Sequence, residues 1–316
     1  MSVVALPEEI QTEAQLATVA ISGASGLVGS ALASSLSKTP TSIINVTRNS
    51  TACPDNSVVW SPGGGITNPA RLEGVDAFVH LAGENIATGR WTASKKSRIR
   101  NSRVEGTRVI ASSLARLERK PKVLVCASAI GYYGDRGDIC LSESSTAGAG
   151  FLSDVCRDWE AAALPAEDAG IRVVHLRIGV IISRNGGALP QMLTPFKLGV
   201  GGRIGSGRQF WSWVTLEDVV GAIHHVIDNE TVRGAVNCVA PEPVTNNDFT
   251  KTLGAALGRP SVFPMPAFAA RLALGQMAND LLLSSTRVFP RRLESSGYDF
   301  LQPNLAHALE TEINAR

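Results

Sequence analysis

The chain has no marked excess of charge of either sign and no long apolar run. Thirty lysines and arginines against 28 aspartates and glutamates leave a net charge of +2 over 316 residues. That is too little for a general field drawing the protein to nucleic acid or a membrane surface. Apolar stretches are interrupted well short of the ~20 positions that a bilayer-crossing helix requires, so no transmembrane segment is expected. The first sixteen residues carry Glu8, Glu9 and Glu13 and no lysine or arginine. They fit neither a secretory signal nor a basic transit peptide, and residues 1–16 read as a loose tail. Cysteine is scarce: Cys53, Cys126, Cys140, Cys156 and Cys238 are odd in number and contain no C-x-x-C spacing. A disulfide framework is not expected, and reduced thiols point to an intracellular compartment, the cytoplasm or an organelle. His80, His175, His224 and His225 lack metal-ligand spacing with cysteines or carboxylates, so no metal site is expected. No internal repeat or low-complexity segment stands out.

What is present is organised around residues 17–36, ATVAISGASGLVGSALASSL. An apolar run with Val19 and Ile21 ends at Ser22, then Gly23, Gly26 and Gly29 follow, and a small-residue helical pattern runs on to Leu36. This reads as strand, tight turn and helix. Gly23 is the turn, Gly26 the place where a pyrophosphate comes close to the backbone, and Gly29 the contact of helix on strand. Unpaired N–H groups and the helix dipole favour negative charge there, so the stretch is a candidate dinucleotide site, the alternative being a plain glycine-rich turn. Residues 41–50 read as a buried strand ending in Thr47, Arg48, Asn49 and Ser50, with no acid nearer than Asp55. An acid at that point would bind a ribose 2′-OH. Arg48 instead can pair with a 2′-phosphate, which favours NADP over NAD, the alternative being a solvated strand-end arginine.

Further along, residues 56–65 read as an excursion from the core, with a Pro-Gly-Gly-Gly turn. Residues 75–83 form a core strand ending in the small residues Ala82 and Gly83, where a second phosphate or ribose can approach. A long helix is expected over 91–116, its front half carrying Lys95, Lys96, Arg98, Arg100 and Arg103, the last within reach of a cofactor. Strands over 122–129 and 173–182, with a helix over 151–163 between them, bring the alternation to at least five strands. Such alternation predicts an α/β fold with a doubly wound parallel sheet, right-handed crossovers and ligands at the carboxyl ends of the strands. From Ser183 the texture changes. The glycine-dense residues 198–213 read as a substrate-side loop or a mobile hairpin. A helix over 216–228 capped by Thr215, a strand over 235–239, a capped helix after Thr245 and a helix over 266–283 follow. The division expected is a nucleotide-binding domain over 17–182, its sheet extending to strands as late as about residue 240, and a smaller mixed lobe over 183–316.

Six stretches, SGASGLVG, HLAGENI, ASAIGYYG, FLSDVCRDWEAAA, GGRIGSGRQFWSW and RVFPRR, occur in an order and spacing that resemble the atypical extended short-chain dehydrogenase/reductases. Within these the chain is most similar to the epimerase-family subgroup of bacterial and plastid cell-division-inhibitor-like proteins. The likeness runs from about Val19 to near the C-terminus, the part after Pro260 resembling that subgroup's C-terminal domain of unknown function. The resemblance implies a Rossmann domain, NADP(H) as ligand and a smaller C-terminal lobe over the nicotinamide end. It puts the cofactor against Gly23, Ala24, Ser25, Gly26, Leu27 and Val28, then Thr47 and Arg48, then Leu81 and Ala82, and then Arg103. Gly83 joins them on the reading of its strand end.

Members that perform hydride chemistry use a serine with a tyrosine and a lysine four residues apart on a helix, the ammonium lowering the phenol pKa. Here the tyrosines are Tyr132, Tyr133 and Tyr298, and four residues on stand Arg136, Gly137 and Gln302, so no Tyr-x-x-x-Lys pair exists. On the helix where the pair belongs, counting back from Glu160 gives Leu152 and Cys156, the latter with the apolar neighbours of an inert thiol. Ser128 is the candidate catalytic serine, one residue of register from Ala129. Tyr133, or Tyr132, is the candidate phenol, with Arg136 as a cation that cannot relay a proton. The alternative is that both tyrosines only wall the nicotinamide pocket. Glu84 is a further candidate acid/base, a ribose contact or a helix-start residue. Two functions follow: an NADP-dependent oxidoreductase or epimerase acting on a small carbonyl or sugar-like substrate, and a non-catalytic NADPH-binding sensor or scaffold acting through a protein partner.

Overall fold

The computed structural model describes residues 17–48 and 57–314. The expected tail over 1–16, together with Asn49, Ser50, Cys53 and Asp55, lies outside them. The first half of the chain runs β1 (Ala17–Ser22), α1 (Leu27–Leu36), β2 (Thr41–Thr47), β3 (Ser57–Ser61), β4 (Gly65–Ile66), β5 (Ala77–His80), α2 (Ala93–Ala115), β6 (Val123–Ala129), β7 (Cys140–Leu141), α3 (Phe151–Ala161), α4 (Leu164–Asp168) and β8 (Arg172–Ile178). The second half runs β9 (Val180–Ser183), β10 (Gly186–Gly187), α5 (Leu189–Lys197), β11 (Phe210–Trp211), β12 (Trp213–Thr215), α6 (Leu216–Asp228), β13 (Gly234–Cys238), β14 (Val244–Thr245), α7 (Asn246–Ala256), α8 (Ala267–Leu274), α9 (Gln276–Ala278), β15 (Arg287–Val288), α10 (Arg291–Ser295) and α11 (Leu305–Asn314).

Eight strands form one sheet in the order β13-β8-β6-β5-β1-β2-β3-β4, and every pair is parallel except β3 with β4. Parallel strands need crossovers that cover both faces, so their side chains are apolar on both sides. On one face Val19, Ile21, Val79, Val125 and Leu176 pack with Leu32 of α1 and Val219 and Ile223 of α6. On the other, Ala20, Phe78 and Leu124 pack with Ile110 and Leu114 of α2. Each fully buried leucine or isoleucine here contributes about 1.5–3 kcal/mol. The chain reverses its winding between β1 and β5, which opens a crevice at their carboxyl ends, the place where open α/β sheets bind ligands.

Three elements differ from the sequence reading. Residues 57–61 are not an excursion: β3 extends the main sheet beside β2, and Val58 and Trp60 are buried in its core. Glycines just beyond that run disguise a strand that is only five residues long. The strand expected over 173–182 is two. β8 stays in the main sheet, while past Gly179 the chain enters a second sheet in the order β10-β9-β12. The helix expected over 266–283 breaks at Gly275, whose φ of +64° no helix accommodates. The Thr215 and Thr245 caps are present, each side chain accepting from the N–H three residues on. A further core joins Ile182, Phe196, Trp213 and Phe249 to Leu305 and Leu309 of α11.

Candidate functional site

The three cofactor clusters named from the sequence meet at one edge of the sheet. β1 lies between β2 and β5, with Ser22 level with Val46 on one side and His80 on the other. The Gly23 turn, Thr47 with Arg48, and residues 81–83 therefore follow three adjacent strand ends. The Leu81 N–H donates to Ser22 O at 3.0 Å, tying the loop after β5 to the end of β1. His80 is fully buried, and its Nδ1 lies 2.6 Å from Ser22 Oγ. Burial holds its pKa down at about 4, so the imidazole is neutral at pH 7.

Each glycine of the turn shows a different steric demand. Gly23 has φ +79°, and a Cβ on it would come 2.8 Å from the backbone of Leu81 and Ala82. Gly29 sits on α1 where a Cβ would lie 2.2 Å from Gly23 O, so the helix can pack on the turn only without a side chain. Gly26 differs. A Cβ there would meet only Gly23 O, at 3.3 Å, and would otherwise point into open space. Gly26 is also the N-cap of α1, with no capping side chain, and the first turn holds no acid. The first amides of α1, from Leu27 on, are therefore unmatched within the helix and presented to an anion. A cleft of ≈ 400 Å³ opens beside them, lined by Ser25, Gly26, Leu27 and Ser30 together with Asn185 and Leu216. The last two went unrecognised in the sequence. Asn185 sits in the turn of the β9–β10 hairpin, and only the packing of Gly186 and Gly187 on Leu27 reveals that the hairpin returns to α1.

Arg48 is exposed just past the end of β2, at the same edge of the sheet. Arg103 reaches the crevice from α2. Its guanidinium donates to Glu84 O at 3.0 Å, lies over the Trp159 ring at 5.0 Å, and stands 3.4 Å from where a Gly83 Cβ would be. Burial lowers its pKa, yet an arginine so placed stays cationic at neutral pH. Glu84 follows residues 81–83, and its N–H donates to Ser102 Oγ. Its carboxylate accepts from the buried Lys95 Nζ at 2.8 Å, and Lys95 also donates to Thr88. The Lys95 hydrogen bond holds the Glu84 pKa below its ordinary value, so this carboxylate is ionised at pH 7 and a poor proton donor.

Ser128 and Tyr133 do not stand as an open catalytic couple. Both hydroxyls belong to a buried network at the ends of β6, β8 and β13. Ser128 Oγ donates to Glu160 Oε1 at 2.7 Å, and Glu160 accepts two further bonds from Arg177 at 2.8 Å each. Arg177 Nη1 donates to Tyr133 OH at 2.9 Å, and that hydroxyl donates to Asn237 Oδ1 at 2.6 Å. Tyr133 is fully buried, and burial raises its pKa, outweighing the opposing effect of Arg177. In this structure both hydrogen-bonding roles of the phenol are filled and its hydroxyl does not face the crevice. The candidate cation Arg136 donates instead to Thr146 O. Arg177, which the sequence reading did not single out, lies 3.5 Å over the partly exposed Tyr132 ring and fixes it at the rim. Cys156 is buried and its thiol is pushed up to about 12 by burial, as an inert cysteine is. Among the described residues no cluster of histidine, cysteine, aspartate or glutamate forms a metal site, and no helix is long and apolar enough to cross a membrane.

Comparison with known proteins agrees with this architecture. The model of the NAD dependent epimerase/dehydratase family matches residues 19–238, and a domain of unknown function, DUF1731, matches residues 265–312. Epimerase family protein Mb2239 of Mycobacterium bovis is 41% identical over 293 residues, covering 93% of this chain and 96% of the relative. An Arabidopsis thaliana relative, epimerase family protein SDR39U1 homolog, chloroplastic, is 35% identical over 306 residues, covering 95% of this chain and 87% of the relative. The crystal structure of human epimerase family protein SDR39U1 (isoform 2) with NADPH superposes with a TM-score of 0.87 at 33% identity, over 95% of this chain and all of that one. With the doubly wound sheet, the glycine turn at its switch point and the C-terminal DUF1731 segment all accounted for, this chain belongs to the NAD dependent epimerase/dehydratase family.

Proposed function

We propose that the protein binds NADP(H) along the carboxyl edge of its sheet and exchanges hydride with a small carbonyl or sugar-like substrate, without a Tyr-x-x-x-Lys couple. The observation that carries the reading is Gly26: the one glycine of the turn whose missing side chain leaves space for a ligand, beside amides that have no partner in α1. The human relative crystallised with NADPH supports the choice of ligand. In this reading residues 23–28 hold the diphosphate, and Thr47 and Arg48 take the 2′-phosphate by charge-assisted bonds. Leu81, Ala82 and Gly83 line the adjacent ribose, with Arg103 behind them. The nicotinamide, when bound, supplies or accepts the hydride. The chain's own part is to orient it against the rim formed by Tyr132 and the loop after β5, and to exclude water with the lobe beyond β9.

The second reading, a cofactor-binding sensor or scaffold, is favoured by one specific observation: the hydroxyls of Ser128 and Tyr133 are consumed in a buried network. One experiment separates the two. NADPH carrying deuterium at nicotinamide C4 is incubated with the protein and a panel of carbonyls and nucleotide sugars. Transfer of label to any of them supports hydride exchange. Tight binding with label fully retained across the panel favours the sensor.

A further inference from the structure

The net charge of +2 conceals a local concentration. Ten large hydrophobic side chains are exposed among the described residues, and seven of them fall in two short segments: Leu198 and Val200 in one, and Val262, Phe263, Met265, Phe268 and Leu272 in the other. The segments are held side by side by main-chain bonds, Phe263 N to Gly201 O, Met265 N to Arg203 O and Gly205 N to Met265 O. Beyond them Phe268 and Leu272, four apart on α8, are 72% and 76% exposed. The inner side of this region is already satisfied, with Leu274, Met277 and Leu281 packed on Trp91, Ile99 and Phe151. The outward face should then be polar, and it is not. Seven large apolar side chains 45–76% exposed in two paired segments depart from the single scattered ones of an ordinary monomer's surface.

Charge decides what covers it. From residue 185 to 216, and again from 249 to 279, the chain holds no aspartate or glutamate, whereas Lys197, Arg203, Arg208, Lys251, Arg259 and Arg271 are all exposed; the exposed Asp248, in the first turn of α7, stands just ahead of the second stretch. The next carboxylate along, Asp280, is half-buried and faces Gln276. A second copy of the same face would set Arg203, Arg259 and Arg271, which neighbour the apolar segments, against their own counterparts. A bilayer surface rich in anionic headgroups offers both the opposite charge and an apolar interior for the side chains. We propose that this face of the C-terminal lobe is a peripheral docking surface for an anionic membrane, with Phe268 and Leu272 inserted at the boundary and the arginines at headgroup level.

The test is flotation of the full chain with vesicles of phosphatidylcholine alone, and of phosphatidylcholine with phosphatidylglycerol at three to one. Recovery with the anionic vesicles is expected to exceed recovery with neutral ones by at least about tenfold and to fall steeply as salt is raised, because screening shortens the reach of surface charges. Phe268→Asp combined with Leu272→Asp should abolish it, and Arg203→Glu with Arg259→Glu should lower it about tenfold. All four side chains are exposed, so melting temperature and NADPH affinity serve as unchanged controls. No recovery, equal recovery on both vesicles, or recovery indifferent to the aspartate pair overturns the proposal. A dimer seen by light scattering that the aspartate pair dissolves also overturns it and assigns the face to a second copy.

Discussion

Replacing Gly26 by alanine separates ligand binding from folding. The new methyl would lie 3.3 Å from Gly23 O and within 4 Å of nothing else, and the φ of −80° at this residue suits any L-amino acid. Loss of unfolded-state entropy stabilises such a change by about 0.4–1 kcal/mol. Tight contact with one carbonyl and a weaker N-cap offset that by a similar amount, so net stability should move by less than about 1 kcal/mol. Binding is another matter. A diphosphate seated on the first amides of α1 would have to retreat from the methyl, losing roughly two charge-assisted hydrogen bonds at about 1.5–3 kcal/mol each. That is a loss of NADPH affinity of at least about a hundredfold. Gly29→Ala is the contrast, since its methyl would overlap Gly23 O at 2.2 Å and Ala24 Cα at 2.8 Å. It should destabilise by about 1–3 kcal/mol or more. Urea denaturation and NADPH titration of both variants decide the matter. If Gly26→Ala binds NADPH within about threefold of wild type, the diphosphate does not sit on this turn and the steric reasoning fails.

Three other outcomes follow from the same geometry. Arg48→Asp should weaken NADPH by about tenfold to a hundredfold and leave NADH nearly unchanged; equal loss for both in parallel titrations would mean that the 2′-phosphate is read elsewhere. Tyr133→Phe strips a partner from both Arg177 and Asn237 inside the core, so it should cost about 2–3 kcal/mol in urea denaturation while leaving NADPH affinity intact; abolished deuterium transfer in a folded variant would restore Tyr133 as a catalytic residue. The folded pKa of His80, about 4, lies below the ordinary 6.5, so the unfolded chain binds the extra proton between those values. The stability this group contributes is complete above about pH 6.5 and falls as pH drops through about 4, by about 3 kcal/mol in all. His80→Gln should flatten that part of the stability profile, and identical slopes in both proteins would show that another group carries it.

The strand, glycine turn and helix over 17–36 were legible because such a turn leaves local marks. Three glycines between an apolar run and a helical pattern specify turn, approach and packing; Gly23 has the positive φ of the turn and Gly29 the close helix contact, while Gly26 leaves open space. The same holds for Thr215 and Thr245, whose caps depend on residues three positions away. What escaped was whatever depends on distant partners. Glu160 and Arg177 lie on different elements, and nothing in either segment alone shows that they meet and enclose Ser128 and Tyr133. β3 was missed because a strand of five residues beside a glycine turn looks like a loop until β2 pairs with it. The break at Gly275 was missed because apolar periodicity continues across it, while the φ of that residue is set by where α9 must land on α2.

The most direct measurement is a calorimetric titration of the unmodified protein with NADPH and, separately, with NADH. One NADPH per chain, bound at least about tenfold more tightly than NADH, is the predicted result. No heat from either nucleotide, or equal affinities for the two, would contradict the assignment of the crevice between β1 and β5 to a phosphorylated dinucleotide.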